Sequence, residues 1–406
     1  NTVLAPYAQF LGQYSGETDG SVFLSPDVFT LAIFAVVYFL TLWLMVRGVS
    51  GGIEVLAKIA MPLLFVLAVV LMIRVFTLGH PVSEEYGVMN GIAFLWEPKW
   101  YIERDGREVF VLLDAKTWLA AAGQVFFSLS LGMGAIQCYA SYLRKNDDVT
   151  LTGLSTTASN SFAEVVLGAS IALPAASAFF GVAAAQLIAS KGSFYLGFVS
   201  MPAIFSFLPA GNLLGFLWFL LLFFAAMTSV VAMCQPIIAF LEDEFGLTRQ
   251  RAVAALAIFW LIGVQFAIWI KGGIDVYDFW SGTFGPPLMA LIEVVILMWI
   301  FGADKVWKEM HEGALLRVPR FFYYCAKYVT PIILATILGV WYWENVIVPF
   351  RDGQLFTRPI EAAGLEVGWH IWMVRGFVIF VFILQIALIW YAWNVCKSMQ
   401  RAEVIE

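Results

Sequence analysis

Long apolar segments alternate with short polar turns along most of this sequence. A segment of about 18 or more apolar residues is long enough to cross a hydrocarbon core roughly 30 Å thick. The pattern predicts about nine spanning helices, over residues 29–46, 59–76, 117–142, 161–184, 213–240, 251–270, 277–300, 328–342 and 372–395. The fold class that follows is an all-α membrane protein.

Two stretches between these spans have a different pattern. Residues 77–116 are polar and contain Glu84 and Arg107, which predicts a long extracellular loop. Residues 187–211 are less hydrophobic and contain Pro202, so we expect an extracellular structured loop that does not need to cross the membrane. Both stretches would connect spans rather than add to their number.

Positively charged residues are unevenly distributed among the turns. The turns that hold Arg47, Arg144, Arg249 and Arg317 would all lie on one side of the membrane. Cytoplasmic loops of multi-pass proteins carry an excess of Lys and Arg. The bias therefore predicts an N-terminus outside and a C-terminus in the cytoplasm, in the inner or plasma membrane.

The composition agrees with a protein whose solvent is lipid. Of the 406 residues, 61% are hydrophobic and 13% are charged, and the mean hydropathy is +0.85. A soluble domain could not bury this much apolar surface. Residues 1–406 are therefore interpreted as a single transmembrane domain with the lipid bilayer as a partner.

Residue patterns of enzymes and metal sites are absent from the sequence. There is no HExxH, GxSxG or P-loop motif, and none of the three histidines lies deep within a span. The four cysteines have no metal-binding or disulfide spacing, so packing is the expected role of Cys138, Cys234, Cys325 and Cys396. We predict no catalytic residues, no organic cofactor and no nucleic-acid partner.

The apolar segment at residues 117–142 does not have the pattern of one continuous helix. Ser128 and Ser130 are two residues apart, so on an unbroken helix their hydroxyls would point to nearly opposite sides. Gly132 and Gly134 follow, and each glycine weakens a helix interior by roughly 1 kcal/mol relative to alanine. A helix interrupted within the membrane frees backbone groups that can line a polar cavity. Residues 127–134 are therefore the candidate binding site.

Other polar residues within the spans also need a partner or a purpose. Asn160 and Glu164 are four residues apart and share one helix face, and Thr228 and Ser229 lie one turn after Ala225. Isolated hydroxyls of this kind usually bond to the preceding turn or join helices. Hydroxyl, amide and backbone oxygens also suit hard cations, so their combination with an interrupted helix favours a transporter site.

Glu293 is a lone acid within a span. It is interpreted as a protonated or hydrogen-bonded structural residue, with a transport role as the alternative. Glu164 and Glu293 are also the only support for a different class of function, an intramembrane enzyme.

A resemblance to a known family extends over nearly the whole chain. The segment GQVFFSLSLGMGAI at residues 123–136 resembles the sixth helix of the neurotransmitter:sodium symporters. Further segments follow in that family's order, at residues 139–142, 160–164, 225–229, 235–236, 240–244, 278–282 and 301–305. The motifs are most similar to those of the bacterial leucine transporter. The resemblance implies the LeuT-type inverted-repeat transporter fold, with family helices 4 to 12 present and the first three absent.

The resemblance also implies roles for individual residues. The amino-acid pocket would be lined by Phe127, Ser128, Ser130, Met133, Ser229 and Met233. A first sodium ion would be held by Ser128 and Asn160, and a second by Ala225, Thr228 and Ser229, with each site only partly contributed by this chain. The gates would contain Phe127, Asp278, Phe279, Tyr142 and Asp243. Glu164 would be a carboxylate that substitutes for chloride.

The function implied is sodium-coupled symport of neutral, apolar amino acids by alternating access, without chloride. Sodium ions and a small-molecule amino acid are the expected ligands, and a homodimer is one expectation for assembly. The alternative is a truncated, non-transporting membrane module that keeps the scaffold for binding or for a partner.

Overall fold

The computed structural model describes residues 3–17, 21–104, 106–144, 146–352 and 368–403. Most of these residues are helical. The first elements, in chain order, are α1 (Ala5–Ser15), α2 (Val28–Val46), α3 (Glu54–Phe76), α4 (Val88–Trp96), β1 (Tyr101–Arg104), β2 (Arg107–Phe110), α5 (Ala115–Ser128), α6 (Ala135–Ala140) and α7 (Val149–Ser161). The next are α8 (Ala172–Phe180), α9 (Val182–Ser190), α10 (Ser193–Tyr195), α11 (Met201–Ser206) and α12 (Gly211–Phe245).

The last third of the chain is also helical where it is described. Its elements are α13 (Arg249–Trp269), α14 (Gly273–Asp278), α15 (Gly285–Val295), α16 (Ala303–His311), α17 (Arg320–Tyr324), α18 (Thr330–Tyr342), α19 (Val348–Arg351) and α20 (Trp369–Glu403). A 3₁₀ turn covers Val111–Leu113. Wider π-helical turns connect or precede several helices, at Val49–Ile53, Phe162–Gly168, Leu196–Ser200, Phe279–Phe284, Ile296–Gly302, Cys325–Val329 and Trp343–Ile347.

Eight helical segments of the described chain are long and apolar enough to cross a membrane. They are Val28–Val46, Val49–Phe76, Val149–Phe180, Gly211–Phe245, Arg249–Trp269, Gly273–His311, Arg320–Arg351 and Trp369–Val395. Each corresponds to one predicted span, and the remaining predicted span, at 117–142, is the interrupted pair α5 and α6. The prediction of an all-α membrane protein is therefore confirmed. The orientation predicted from the Lys and Arg bias of the turns stays a prediction.

Aspartate side chains begin three of these helices. Asp27 accepts a hydrogen bond from the Thr30 amide at 2.7 Å, and Asp114 accepts one from the Thr117 amide at 2.9 Å. Such caps satisfy amide groups that have no partner within the helix. Asp148 caps α7 through the Leu151 amide. It also accepts a hydrogen bond from the Leu315 amide at 2.7 Å, and these bonds hold the pKa of Asp148 below its ordinary value.

The described chain divides into two compact units, each assembled from separate stretches of sequence. The first comprises Asn1–Asp19, Ser25–Trp100 and Leu154–Ala232. Its core forms where α8 packs on α4, and there Gly91 is required because a Cβ at this position would lie 2.7 Å from the Pro174 Cα atom. Buried Leu71, Phe179 and Trp218 belong to the same core.

The second unit comprises Gly20–Leu24, Tyr101–Gly153 and Met233–Glu406. One core cluster joins Leu119 of α5 to Ile337, Leu338 and Trp341 of α18. A second cluster joins Val276 of α14 to the first turns of α20. The helix α5 is therefore held against α18, and Leu288 and Leu291 of α15 belong to the same cluster.

The two predicted loops contain more secondary structure than their sequence pattern suggested. Residues 77–116 include the helix α4 and an antiparallel hairpin in which Tyr101 pairs with Phe110. Residues 187–211 include the end of α9 and an apolar helical stretch, Ser193–Ser206, that is shorter than a span. The role of the second stretch as a connection that does not cross the membrane stays a prediction. The extracellular position of both stretches stays a prediction.

Candidate functional site

The helix that carries the candidate site is interrupted where the sequence predicts. The helix α5 ends at Ser128 and α6 begins at Ala135. Between them Ser130, Gly132 and Gly134 have φ angles of 55°, 71° and 75°, a region that side-chain-bearing residues rarely adopt. The prediction of an interrupted helix is confirmed, and the break leaves Ser128, Ser130 and Met133 half-buried.

Two features of α15 hold this break in place. The Glu293 carboxylate accepts hydrogen bonds from the Gly132 backbone amide and from the Gln137 side chain. A Cβ atom on Gly132 would lie 2.5 Å from the Pro286 carbonyl oxygen, so only glycine lets the two backbones approach this closely. Glu293 is thus the hydrogen-bonded residue that the sequence suggested. Its partners, more than 150 residues away in sequence, gave no sequence signal.

Two of the predicted gate residues meet at Gly282. A Cβ atom on Gly282 would lie 3.0 Å from the Asp278 Oδ1 atom and 3.6 Å from the ring of Phe127. The aromatic ring and the carboxylate therefore share one side of the π-helical turn Phe279–Phe284. Gly282 is a site residue that the sequence reasoning missed, although it stands within the motif that carries the family resemblance.

Phe279, the third residue predicted for this gate, lies in an aromatic cluster. Its ring centroid is 5.7 Å from that of Trp341 and 6.2 Å from that of Phe284. Ring contacts of this kind stabilise packing between helices. Phe279 therefore anchors the start of the π-helical turn that follows Asp278. Its role in a gate stays a prediction.

Tyr142 belongs to a polar network near the end of the spans. Its hydroxyl oxygen accepts a hydrogen bond from Gln235 Nε2 at 3.1 Å, and Gln235 Oε1 accepts one from Arg249 at 2.8 Å. Arg249 also forms an ion pair with Glu242 at 3.4 Å. Asp243, which was predicted to join Tyr142 in a gate, is exposed on the same helical turn as Glu242. The carboxylate that enters the described network is thus Glu242.

The first unit contains a cleft of about 790 Å³ that receives several predicted ion-binding residues. Asn160, Glu164 and Ala225 line it. Asn160 Nδ2 donates a hydrogen bond to a Glu164 carboxylate oxygen at 3.5 Å. The hydroxyl-bearing residues Ser155, Thr156 and Ser159 line the same cleft. Hydroxyl, amide and carboxylate oxygens, which are ligands for hard cations, therefore converge on one cavity.

The stripe on α12 shows a local hydrogen-bond pattern. The Thr228 hydroxyl lies 2.9 Å from the Phe224 carbonyl and 3.1 Å from the Ala225 carbonyl, to which it can donate. This is the bond to the preceding turn that a structural hydroxyl makes, and it leaves the lone pairs of the hydroxyl oxygen for another ligand. Ser229 and Met233, one turn apart, are exposed.

The described residues offer no cluster of three or more His, Cys, Asp or Glu side chains that could hold a metal ion. Cys138, Cys234 and Cys325 are free thiols, and the side chain of Cys396 lies outside the described part.

Comparison with known proteins places these features in a family. A model of the sodium:neurotransmitter symporter family matches residues 20–390. An uncharacterized sodium-dependent transporter of Methanocaldococcus jannaschii is 31% identical, over 80% of this chain and 63% of the relative. The sodium-dependent nutrient amino acid transporter 1 of Drosophila yakuba is 27% identical, over 85% of this chain and 51% of the relative. The chain thus spans 63% and 51% of the lengths of these relatives.

A solved structure has the same fold. The crystal structure of MhsT in complex with L-phenylalanine matches this chain with a TM-score of 0.66 and 25% sequence identity. The match covers 83% of this chain and 75% of MhsT. With residues 20–390 matched by the family model, the chain belongs to the sodium:neurotransmitter symporter family, whose members are membrane transporters and not enzymes.

Proposed function

We propose that this chain serves the sodium-coupled symport of neutral, apolar amino acids by alternating access. The observation that carries the proposal is the interruption of the helix between Ser128 and Ala135, inside a segment otherwise long enough to cross the membrane. Interrupted helices in transporters expose backbone groups that bind substrates and coupling ions near the bilayer midplane. A relative named as a sodium-dependent nutrient amino acid transporter supports an amino-acid substrate and sodium coupling.

The proposed substrate contacts come from both sides of the helix break. We assign Phe127, Ser128, Ser130 and Met133, together with Ser229 and Met233 of α12, to the amino-acid pocket. None of these side chains is charged, which favours a neutral substrate, and methionine can adapt its shape to apolar groups of different size. Phe127 would act as a lid, since its ring lies beside Asp278 at Gly282.

The proposed coupling ions are two sodium ions. The first would be bound by Ser128 and Asn160. The second would be bound by the Ala225 carbonyl and the hydroxyls of Thr228 and Ser229. The Thr228 hydroxyl oxygen and the Ala225 carbonyl oxygen are already 3.1 Å apart, so one ion could contact both. Oxygen donors without a thiolate or imidazole are the set that hard cations prefer.

Binding of a radiolabelled neutral amino acid to the purified full-length transporter is expected to require sodium. We expect the amino acid to bind in sodium chloride and its affinity to fall by at least about tenfold in potassium chloride. The reason is that potassium is a larger ion, which fits the proposed oxygen ligands poorly. A scintillation proximity assay measures this directly, with excess unlabelled amino acid as the control for specific signal. Equal binding in the two salts would contradict the proposal and favour the alternative of a non-transporting binding module.

We also propose that transport is independent of chloride because Glu164 supplies a fixed negative charge. Glu164 is half-buried, and no Lys or Arg side chain is among the described residues that line its cleft. A carboxylate in such a place is costly unless a cation or hydrogen-bond donors complement it. Asn160 supplies one such donor, and a sodium ion bound nearby would supply the positive charge.

Replacing Glu164 with serine is expected to make binding depend on chloride. The substitution removes the fixed charge and leaves a hydroxyl that can donate to an anion, so chloride should raise the affinity of Glu164→Ser by about tenfold. The assay compares sodium chloride with sodium gluconate. Glu85→Ser, which changes an exposed acid in the loop, is the matched control. Unchanged binding of an active Glu164→Ser variant in the two salts would contradict the role assigned to Glu164.

An outside N-terminus, a cytoplasmic C-terminus and a homodimer complete the proposal. The Lys and Arg bias of the turns supports the orientation. Protease protection of tagged ends and the mass of the protein in detergent would test these two points separately from transport.

A further inference from the structure

A cleft at the end of a span combines two lysines with aromatic side chains. It has a volume of about 390 Å³, and Trp299, Gly302, Asp304, Lys305, Lys327 and Tyr328 are among its lining residues. We refer to it as the lysine cleft. None of these residues enters the proposed transport site.

The lysine cleft follows an apolar helical segment and precedes an amphipathic helix, an order that is typical of the boundary between membrane and water. Gly302 has a φ of 111°, so the chain turns there and α16 follows as a separate helix. Ala303, Val306, Trp307 and Met310 of α16 recur at three- and four-residue spacing, and charged residues occupy its other side. A strongly amphipathic helix of this kind lies in the plane of the membrane interface.

The two lysines in the cleft have no carboxylate within ion-pair distance among the described residues. The Lys327 ammonium lies 5.6 Å from the ring centroid of Tyr323 and 5.5 Å from that of Tyr328. The Lys305 ammonium lies 5.7 Å from the ring centroid of Phe301. These distances are close to the outer limit of about 6 Å for a cation–π contact. The Lys327 ammonium also forms side-chain hydrogen bonds with Tyr323 and Tyr328. These rings and hydroxyls are neutral partners, so they do not neutralise the positive charges.

Asp304 is the acidic residue that lines the lysine cleft, and its carboxylate is already engaged. Its Oδ1 atom accepts a hydrogen bond from the Tyr323 hydroxyl at 3.1 Å. It also stands in the first turn of α16, where the helix dipole favours a negative charge. With one carboxylate and two ammonium groups, the cleft keeps an excess of positive charge.

Contacts within the protein shape the cleft. Trp299 Nε1 donates a hydrogen bond to the Lys327 carbonyl at 3.0 Å, and the rings of Trp299 and Tyr328 pack edge to face at 5.8 Å. These contacts fix the backbone that carries Lys327. Trp299 remains 57% exposed, so an exposed apolar surface continues from the cleft along the apolar helical segment.

From these features we propose that the lysine cleft binds the headgroup phosphate of an anionic phospholipid. Lysine binds phosphate as a point charge, and basic side chains at the membrane surface are attracted to anionic lipids. The adjoining exposed Trp299 and Ile300 would contact the acyl chains. Trp and Tyr side chains are typical of this depth, because each has an apolar ring and a polar group.

Native mass spectrometry of the purified full chain in detergent tests the proposal without amino acid or sodium. We expect phosphatidylglycerol to bind more tightly than phosphatidylcholine. The double variant with Lys305→Gln and Lys327→Gln should lose about tenfold to thirtyfold in affinity for phosphatidylglycerol. The matched control, with Lys58→Gln and Lys308→Gln, removes two positive charges outside the cleft and should keep the wild-type affinity. Equal losses in the two double variants would overturn the proposal.

Two further measurements distinguish a lipid-headgroup site from a site for soluble phosphate. Asp304→Asn keeps the acceptor for the Tyr323 hydroxyl but removes a negative charge, so it should tighten phosphatidylglycerol binding; weaker or unchanged binding would contradict the proposal. Glycerol phosphate should compete only at far higher concentration than the lipid. Competition at an equal concentration would assign the cleft to a soluble phosphate instead. Because no amino acid is present, failure here is distinct from failure of the proposed transport.

Discussion

Replacing Gly132 with alanine is expected to abolish measurable sodium-dependent amino-acid binding. Gly132 has a φ of 71°, where a residue with a side chain is strained by roughly 1–2 kcal/mol. The larger effect is steric, because the new Cβ atom would lie 2.5 Å from the Pro286 carbonyl oxygen and 3.2 Å from the Ala290 nitrogen. Both contacts are with backbone, which cannot move aside as a flexible side chain can. The break must therefore shift away from α15, and Ser128 and Met133 shift with it.

A scintillation proximity assay on purified protein checks this expectation. Gly339→Ala is the matched control, since Gly339 lies inside α18 and a Cβ atom there would meet nothing within 4 Å. The control should bind like the wild type, and alanine should favour its helix by up to about 1 kcal/mol. An affinity of Gly132→Ala within twofold of the wild type would show that the close approach to Pro286 does not position the binding residues.

Replacing Glu293 with leucine is expected to destabilise the protein and to weaken substrate binding by at least about tenfold. The substitution removes the acceptor for the Gly132 amide and the Gln137 side chain. A buried donor left without an acceptor costs about 1–3 kcal/mol, and more where no water can replace the lost partner. Because the Gly132 amide belongs to the break, the penalty falls on the conformation that presents the site.

Glu293→Gln separates hydrogen bonding from charge. Its amide oxygen can still accept from Gly132, so this variant should lose less than the leucine variant in both thermal stability and affinity. The two quantities are measured by fluorescence-detected size exclusion after heating and by radioligand saturation. A glutamine variant as impaired as Glu293→Leu would instead indicate that the charge, or a proton carried by Glu293, is what the transporter needs.

The interruption of the helix could be read from sequence because its cause is local. Gly132 and Gly134 weaken a helix wherever they occur, and the structure places both at positive φ. The partner of the break, Glu293, was visible as a costly acid within a span. Its connection to Gly132 depends on how α15 packs on α5, and no local pattern encodes that packing.

The boundaries of the spans were less predictable than their existence. Residues 161–184 were expected as one span, whereas the helix begins at Val149 and ends at Phe180. Its first turns contain Ser155, Thr156 and Ser159, which interrupt the apolar run although the residues are helical. Its end is set by Gly181, whose φ of 80° breaks the helix.

In the loop at residues 77–116, the sequence pattern did not indicate a helix that the structure contains. Its polar composition hid the helix Val88–Trp96, which is stabilised by packing on α8 through Gly91. Short helices gain most of their stability from such contacts rather than from propensity. The hairpin did have a local signal, since an Asp-Gly pair at 105–106 is typical of tight turns between strands.

The partners in the polar network at Tyr142 also depend on tertiary packing, which the local sequence does not encode. The family resemblance implies that Tyr142 and Asp243 belong to one gate, which stays a prediction. The described network runs from Tyr142 through Gln235 to Arg249 and Glu242. Adjacent acids at 242 and 243 are equivalent by composition, and the direction of each side chain from α12 decides which one meets the arginine.

The π-helical turn at Phe162–Gly168 determines how many residues one helix can present to the cleft. Lining residues recur along this helix every four positions, at 155, 159, 163 and 167. On a regular α-helix, steps of four over this length would rotate the last residue about 120° away from the first. A π turn contains more residues per turn and cancels much of that drift. Loss of a single residue from the first part of this turn would therefore rotate Leu167 away from the cavity.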